Sequence, residues 1–306
     1  MTKQQILDAI NGTDYQSLLA VYHKYKINEK FDEFFAQQHQ PGKEHMHYRM
    51  LLKQVQDINR KKPVIIYKGG LTESGARAVS SHTGSLAGGE KIWQAFFRQT
   101  GAVLVESLEE MGDVTLAFHH LGKTTGSKTT ILGFGGGIGV SAADSCSKAR
   151  LELPPFSAEL TKKLRKLIPP AGAMIRNPID AAITFIHLPF LGEVLNLLAE
   201  SGEIDNFIIS VPFDWLFKKE PGGAYIETVG AYLAKEGRKH TQGKPLVVGW
   251  RQYHPSPEIR KWVTVFEHIL LSAGIPVYEG LPRAVSALAK LSEHSSFQKD
   301  NNATPN

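Results

Sequence analysis

One imidazole sits in a stretch built almost entirely of small residues. Residues 68–88 read KGGLTESGARAVSSHTGSLAG, and His82 is flanked there by Ser81, Thr83 and Gly84. Small neighbours let a backbone approach a ligand closely and let a loop move. An imidazole among hydroxyls and free amides suits a nucleophile that accepts a phosphoryl group. The amides opening a helix at Ser85 would help to hold that charge. A glycine-rich surface loop with an incidental histidine has the same composition, so the loop alone decides nothing.

A second loop, GGGIG at residues 135–139, lies between an apolar run and an amphipathic segment. Gly135, Gly136, Gly137 and Gly139 would expose backbone amides at a helix N-terminus, which makes an anion site. No Gly-Lys-Ser/Thr follows, so it is not a Walker loop. Gly137-x-Gly139-x-x-Ala142 fits a dinucleotide fingerprint with alanine in third place. The acidic residue that should follow about 20 positions on is not clear: Glu152 comes too early and Glu159 falls in an expected helix. A tight strand-to-helix turn without a ligand is the plain alternative. The third loop, Asn177-Pro178-Ile179-Asp180, reads as a turn. Asp180 either caps the segment after it or belongs to a polar loop closing over the glycine turn. Trp250, Tyr253 and His254 follow another apolar run and either line a pocket or pack as loop aromatics. His39, His45 and His47 fit no zinc spacing, so no metal site is expected.

These loops need a scaffold that presents them together. From Pro63 onward, short apolar runs alternate with amphipathic segments of about 12 residues, the pattern of a parallel sheet with crossover helices. Strands are expected at 64–67, 102–105, 130–134, 207–212, 245–249 and 275–278. Each loop then follows, or lies close to, the end of a strand, where open α/β sheets place their ligands. Helices are expected at 85–99, from Ser107 to about Leu121, from the glycine turn through Lys148, from Ser157 to Ile168, at 258–273 and at 282–291. Ser107 with Glu110 is a capping box. Pro169-Pro170 stops the fourth of these helices, and Gly274 the fifth. Residues 1–60 read as helical, with faces at 6–19, 31–35 and 50–58, and carry no strand. The segment 122–128 (GKTTGSK) is small, polar and basic, and is expected to be a domain boundary. The tail from Ser292 reads as disordered.

Composition narrows the class without naming the chemistry. The chain has 306 residues, 42% of them hydrophobic, which is enough for about two domains with real cores. With 35 basic and 30 acidic residues the net charge is +5, too mild to argue for nucleic acid or a membrane surface. The single cysteine, Cys146, excludes an internal disulfide framework. No signal-peptide core or membrane-spanning run is visible, so a cytoplasmic location is expected.

Taken together, the loops are more specific than any one of them. Residues 62–70 (KPVIIYKGG), 80–88 (SSHTGSLAG), 97–101 (FRQTG), 135–144 (GGGIGVSAAD), 177–180 (NPID) and 273–278 (AGIPVY) come in one order. That order resembles the ADP-forming (NDP-forming) acyl-CoA synthetases, the acetate–CoA ligase relatives of succinyl-CoA synthetase. The resemblance covers about residues 60–291, and the Ser-His-Thr-Gly run is its most specific element. It implies flavodoxin-like parallel sheets with helices on both faces, the N-terminal one incomplete. The expected division is 1–60, a helical segment; 61–126, a partial ligase domain with the histidine loop; 127–292, a complete one; and 293–306, the tail.

The resemblance also implies a phosphohistidine relay. In that family acyl-CoA, phosphate and ADP exchange with a free acid, CoA and ATP, and a loop histidine carries the phosphoryl group. His82 matches that histidine, with Ser81, Thr83 and Gly84 supporting it. Gly135, Gly136, Gly137 and Gly139 match the turn that holds the phosphoryl group, with Asn177 and Asp180 in the loop beside it. CoA, ATP or ADP with magnesium, and phosphate are implied for the complete enzyme, none of them bound by this chain alone. On this resemblance the family's CoA-binding domain, the first half of its second domain and its ATP-grasp domain are not expected within these residues. Those parts are therefore expected from partner chains in trans, with a small acyl substrate, no nucleic acid and no membrane; an oligomer is left open. Two other readings stand beside the ligase: a non-catalytic module responsive to nucleotide or CoA, and a nicotinamide-type Rossmann protein, which would leave the His82 loop unexplained.

Overall fold

The structure, a computed structural model, describes residues 44–70, 74–75, 77, 90–133, 135–169, 173–219, 223–251 and 256–303. The expected helical faces at 6–19 and 31–35 lie outside them. The chain divides into two units, Met1–Asp57 and Ile58–Asn306. The first is described only from Glu44, in helix α1 (Glu44–Asn59), which extends the expected helix at its N-terminal end.

The second unit begins with a small parallel pair. Strands β1 (Ile65–Tyr67) and β2 (Val103–Val105) pair with Ile65 opposite Val103. Helix α2 (Glu90–Thr100) precedes β2, and its Trp93, Phe96 and Phe97 rings pack edge-on or tilted, with centroids 5.4 to 6.0 Å apart. Helix α3 (Leu108–Leu121) opens on its Ser107 cap, with Glu110 reaching one residue beyond the cap. The Ser107 hydroxyl accepts from the Glu110 amide at 3.0 Å, and the Glu110 carboxylate reaches back to the Glu106 amide at 2.7 Å.

The main sheet has six strands: β3 (Thr129–Gly133), β4 (Ala173–Met174), β5 (Ile179–Ala181), β6 (Asn206–Pro212), β7 (Leu246–Arg251) and β8 (Val277–Glu279). Their order across the sheet is β4-β5-β3-β6-β7-β8, all parallel except β4, which runs antiparallel at the edge. Leaving that edge strand aside, the order is the flavodoxin-like 2-1-3-4-5. It is not the 3-2-1-4-5-6 of a dinucleotide-binding Rossmann sheet, so the nicotinamide reading falls on topology.

Central strands covered on both faces read as continuous apolar runs, and β6 is buried at every position. Period-two alternation then divides the side chains. Leu132, Ile209 and Val248 enter a core covered by helices α5 (Ala158–Leu167), α6 (Leu188–Glu200), α7 (Phe213–Lys219), α8 (Ala224–Tyr232) and α9 (Pro257–Ser272). Ile131, Ile208 and Val247 enter a second core, against α3, α4 (Gly136–Lys148) and α10 (Leu281–Ala303).

Three features differ from the sequence expectations. Residues 177–180 are not only a turn: Ile179 and Asp180 belong to β5 and pair in register with Leu132 and Gly133. A three-residue strand after Asn-Pro is too short to show a period. Helices α6 to α8 also go beyond the expected set, although in α6 the buried Leu188, Leu191, Leu195 and Leu198 recur at helical spacing. The third difference corrects the disordered tail: α10 continues to Ala303. Its Ser292, His294, Ser295 and Gln298 are buried. Their polar atoms are bonded to the chain, Ser292 to the Gly126 carbonyl, Ser295 to the Thr124 amide and Gln298 to the Asn59 carbonyl. A polar inward face looks solvated in sequence because its partners are distant. Among the described residues no helix is long and apolar enough to cross a membrane.

Candidate functional site

At the C-terminal ends of β3, β5 and β6 the chain leaves the sheet in different directions, and a cavity of about 320 Å³ opens there. This is the switch point of the 2-1-3-4-5 order, where open α/β sheets hold ligands. Its walls carry Gly133, Gly135, Asp144, Arg176, Asp180 and Ser210, with Val140 and Met174 exposed on its apolar side.

The glycine turn is built for close backbone approach. Gly135 caps α4 with φ 109°, a conformation that strains any residue with a Cβ. A Cβ on Gly133 would stand 2.8 Å from the Ser210 Cβ and 3.2 Å from the Ser210 carbonyl oxygen, so glycine lets β3 and β6 close together there. Over Gly137 the space is open to 4 Å. The first amides of α4 have no acceptor within the helix. They lie at the positive end of the helix dipole, which favours an anion.

The neighbouring loop holds this turn in place. The Gly135 amide donates to Asp180 Oδ1 at 3.0 Å. The Asn177 side-chain amide donates to the Thr129 carbonyl at 2.8 Å and to the Pro154 carbonyl at 3.1 Å, and its oxygen accepts from the Ile131 amide at 3.4 Å. Asn177 therefore ties its loop to β3 through two bonds and to Pro154 through a third, and Asp180 fixes the first residue of the turn. The Asn177–Pro178 peptide is cis, and Pro178 lies beside Gly139.

The structure thus brings together Gly135, Gly136, Gly137, Gly139, Asn177 and Asp180. Ser81, His82, Thr83 and Gly84 lie outside the described residues, as do Tyr253 and His254. Trp250 packs in the core, edge-on to Phe213 with its indole N–H on Glu267 at 2.9 Å, and does not line this cavity. Sequence reasoning did not single out Arg176 or Ser210. Ser210 had one faint signal, a hydroxyl inside the apolar run NFIISVP. Cys146, on α4, is buried away from solvent, which pushes its thiol up to about 12 and makes it a core residue.

Known proteins resemble this chain in sequence and in fold. Residues 44–118 match the model of the succinyl-CoA ligase like flavodoxin domain. The acetate–CoA ligase [ADP-forming] I subunit alpha of Pyrococcus furiosus is 31% identical over 252 residues, which are 82% of this chain and 50% of that one. The corresponding II subunit alpha is 39% identical over 133 residues, 43% of this chain and 28% of that one. A solved structure of the dinucleotide forming acetyl-coenzyme A synthetase 1 of Ca. Korarchaeum cryptofilum, in complex with phosphate and ADP, matches with a TM-score of 0.69. It is 25% identical and covers 87% of this chain and 54% of that one. The chain spans about half the length of that structure and of the longest-matched relative, or less of the other. By sequence and by fold, this chain is a relative of part of the ADP-forming acetate–CoA ligases, with a succinyl-CoA ligase-like flavodoxin domain matched at residues 44–118.

Proposed function

We propose that the chain is the phosphoryl-relay part of an ADP-forming acyl-CoA ligase. The observation that carries this reading is the cavity at the switch point, lined by Gly135 and Gly139 of the α4 turn, with Asp180 fixing Gly135. The relatives' names supply the reaction class.

In this reading phosphate attacks the acyl carbon of acyl-CoA, the thioester bond breaks, and CoA leaves as the thiolate. The resulting acyl phosphate meets His82. An imidazole nitrogen lone pair attacks phosphorus, and the bond to the acyl oxygen breaks with the carboxylate taking the electron pair. The phosphoryl group then passes to ADP, forming ATP and restoring the imidazole. The chain's own part is to carry the group on His82, with Ser81, Thr83 and Gly84 beside it, and to bind its charge at the turn of Gly135, Gly136, Gly137 and Gly139, whose first amide is held by Asp180. Backbone amides fixed in advance are effective for this because they need no reorganisation as charge arrives. Residues 61–126 would supply the histidine loop and 127–292 the cradle. CoA, magnesium and the nucleotide would belong to domains or subunits outside this chain, with cytoplasmic enzyme chemistry as the setting.

The test is phosphorylation by radiolabelled ATP and magnesium, with and without an ATP-grasp partner, beside a His82→Asn control. Acid-labile, base-stable label that is lost in the variant supports the relay; label only with the partner makes the chain a subunit of a split enzyme. If neither condition gives label, the relay is wrong and a non-catalytic binding module remains.

A further inference from the structure

We propose that Ser210 is the side-chain donor of the anion site, directed at a phosphate oxygen from the floor of the cavity. This rests on the reading of the α4 turn as a phosphate cradle and adds to it a residue on a different strand. Ser210 lies on β6, two residues before that strand ends, and lines the cavity beside Gly133. It is 2% exposed, and its hydroxyl has no hydrogen-bond partner among the described residues.

Buried hydroxyls are almost always bonded, because burying one without a partner sacrifices its hydrogen bonds to water. Ser210 sits in a strand whose neighbours are Phe207, Ile208, Ile209 and Val211, all of which serve the cores. An alanine there would pack as well and leave nothing unsatisfied. Thr130 shows the contrast: its hydroxyl is also unpartnered, yet Thr130 does not line the cavity. Ser210 combines an unpartnered donor with a place on the wall of the cavity that Gly135 and Gly139 also line. A hydroxyl bonded to an anion is strengthened by the charge, and the amides of the turn cannot supply a contact from this side.

The wall also carries the Asp180 carboxylate, whose Oδ1 is already taken by the Gly135 amide. Its other oxygen can only accept. Hydrogen phosphate carries a proton to donate to it, whereas sulfate carries none and meets only like charge. The site therefore fits inorganic phosphate in preference to sulfate.

The experiment titrates the purified full-length chain with inorganic phosphate by calorimetry and thermal denaturation, with sulfate in parallel, for the wild type, Ser210→Ala and Ser210→Cys. Expected are saturable phosphate binding by the wild type and a roughly tenfold or greater weakening in Ser210→Ala. Ser210→Ala should melt no lower than the wild type without phosphate, since the hydroxyl contributes no bond there, and Ser210→Cys should bind with intermediate affinity. Equal phosphate affinity in wild type and Ser210→Ala overturns the role of Ser210 and leaves the cradle standing. A lower melting temperature of Ser210→Ala without phosphate, at unchanged affinity, makes the serine structural and also overturns it. No phosphate binding by the wild type overturns both the cradle and this proposal. Sulfate binding as tight as phosphate removes the part given to Asp180.

Discussion

The two sheets of the second unit solve the same packing problem to different degrees. In the six-stranded sheet β3 and β6 are buried along their whole length, with a core on each face. In the β1–β2 pair, β1 is half-buried to exposed, Tyr67 being 45% exposed, and among the described residues a cluster there joins Val103, Val105 and Val114. The larger sheet can hold strained features such as the Gly135 turn because both faces are clamped. The smaller pair lies against α3, and the histidine loop lies between its two strands in sequence. The proposed relay assigns the cradle to the clamped sheet and the carrier to the sequence that joins the two strands of the smaller pair.

The largest effect should come from the core of the main sheet. Phe207→Ala removes a fully buried ring from β6 and should cost about 3–5 kcal/mol of stability, whereas Ile65→Ala in β1 should cost about 1 kcal/mol. Urea denaturation measures both, and equal losses would break the comparison. Next is the packing of β2's approach on α10. Gly101 has φ 66°, and a Cβ there would fall 2.1 Å from the Phe297 ring. Gly101→Ala should cost roughly 2–3 kcal/mol by overpacking and backbone strain. The double variant Gly101→Ala/Phe297→Ala should lose less than the sum of the two single changes. Additive losses would show that the contact does not couple these elements.

Asn177→Ala should cost about 2 kcal/mol, because the Thr129 and Pro154 carbonyls and the Ile131 amide each lose a partner. It should also weaken phosphate binding by loosening the loop of Asp180, and unchanged affinity would show that the loop holds without it. The smallest effect is one of pH. His294 is held below the usual histidine pKa, first by burial and then by Lys123. It meets Asn59, Gln298 and the edge of Phe118. A histidine with a depressed folded pKa favours the neutral form, so its contribution is complete above the unfolded value of about 6.5 and is lost as pH falls through that value. His120 shares the direction, from burial and then His119 and Arg238. Stability measured from pH 8 to 5 should therefore fall on the acid side, and less steeply in His294→Gln. An identical slope in that variant would clear His294 of the effect.

Much of this was legible from particular residues. The Ser107 and Ser157 caps, the apolar runs that became β3, β6 and β7, and the glycine turn all announced themselves locally. The Asn177–Asp180 loop was visible as a motif, but as a turn. Its strand pairing and the bond from the Gly135 amide to Asp180 depend on residues about 45 positions apart. The continuation of α10 was hidden for the same reason: Ser292, Ser295 and Gln298 look like a solvated tail until Gly126, Thr124 and Asn59 come beside them.

By itself the sequence determined the alternation of strands and helices, the places where helices start, and a glycine turn able to receive an anion, because caps, periods and backbone freedom are properties of neighbouring residues. Only the tertiary structure decided that β6 lies next to β3. That adjacency makes a switch-point cavity from three strand ends and sets Ser210 on its wall, since the side a strand turns to a cavity depends on which strands flank it.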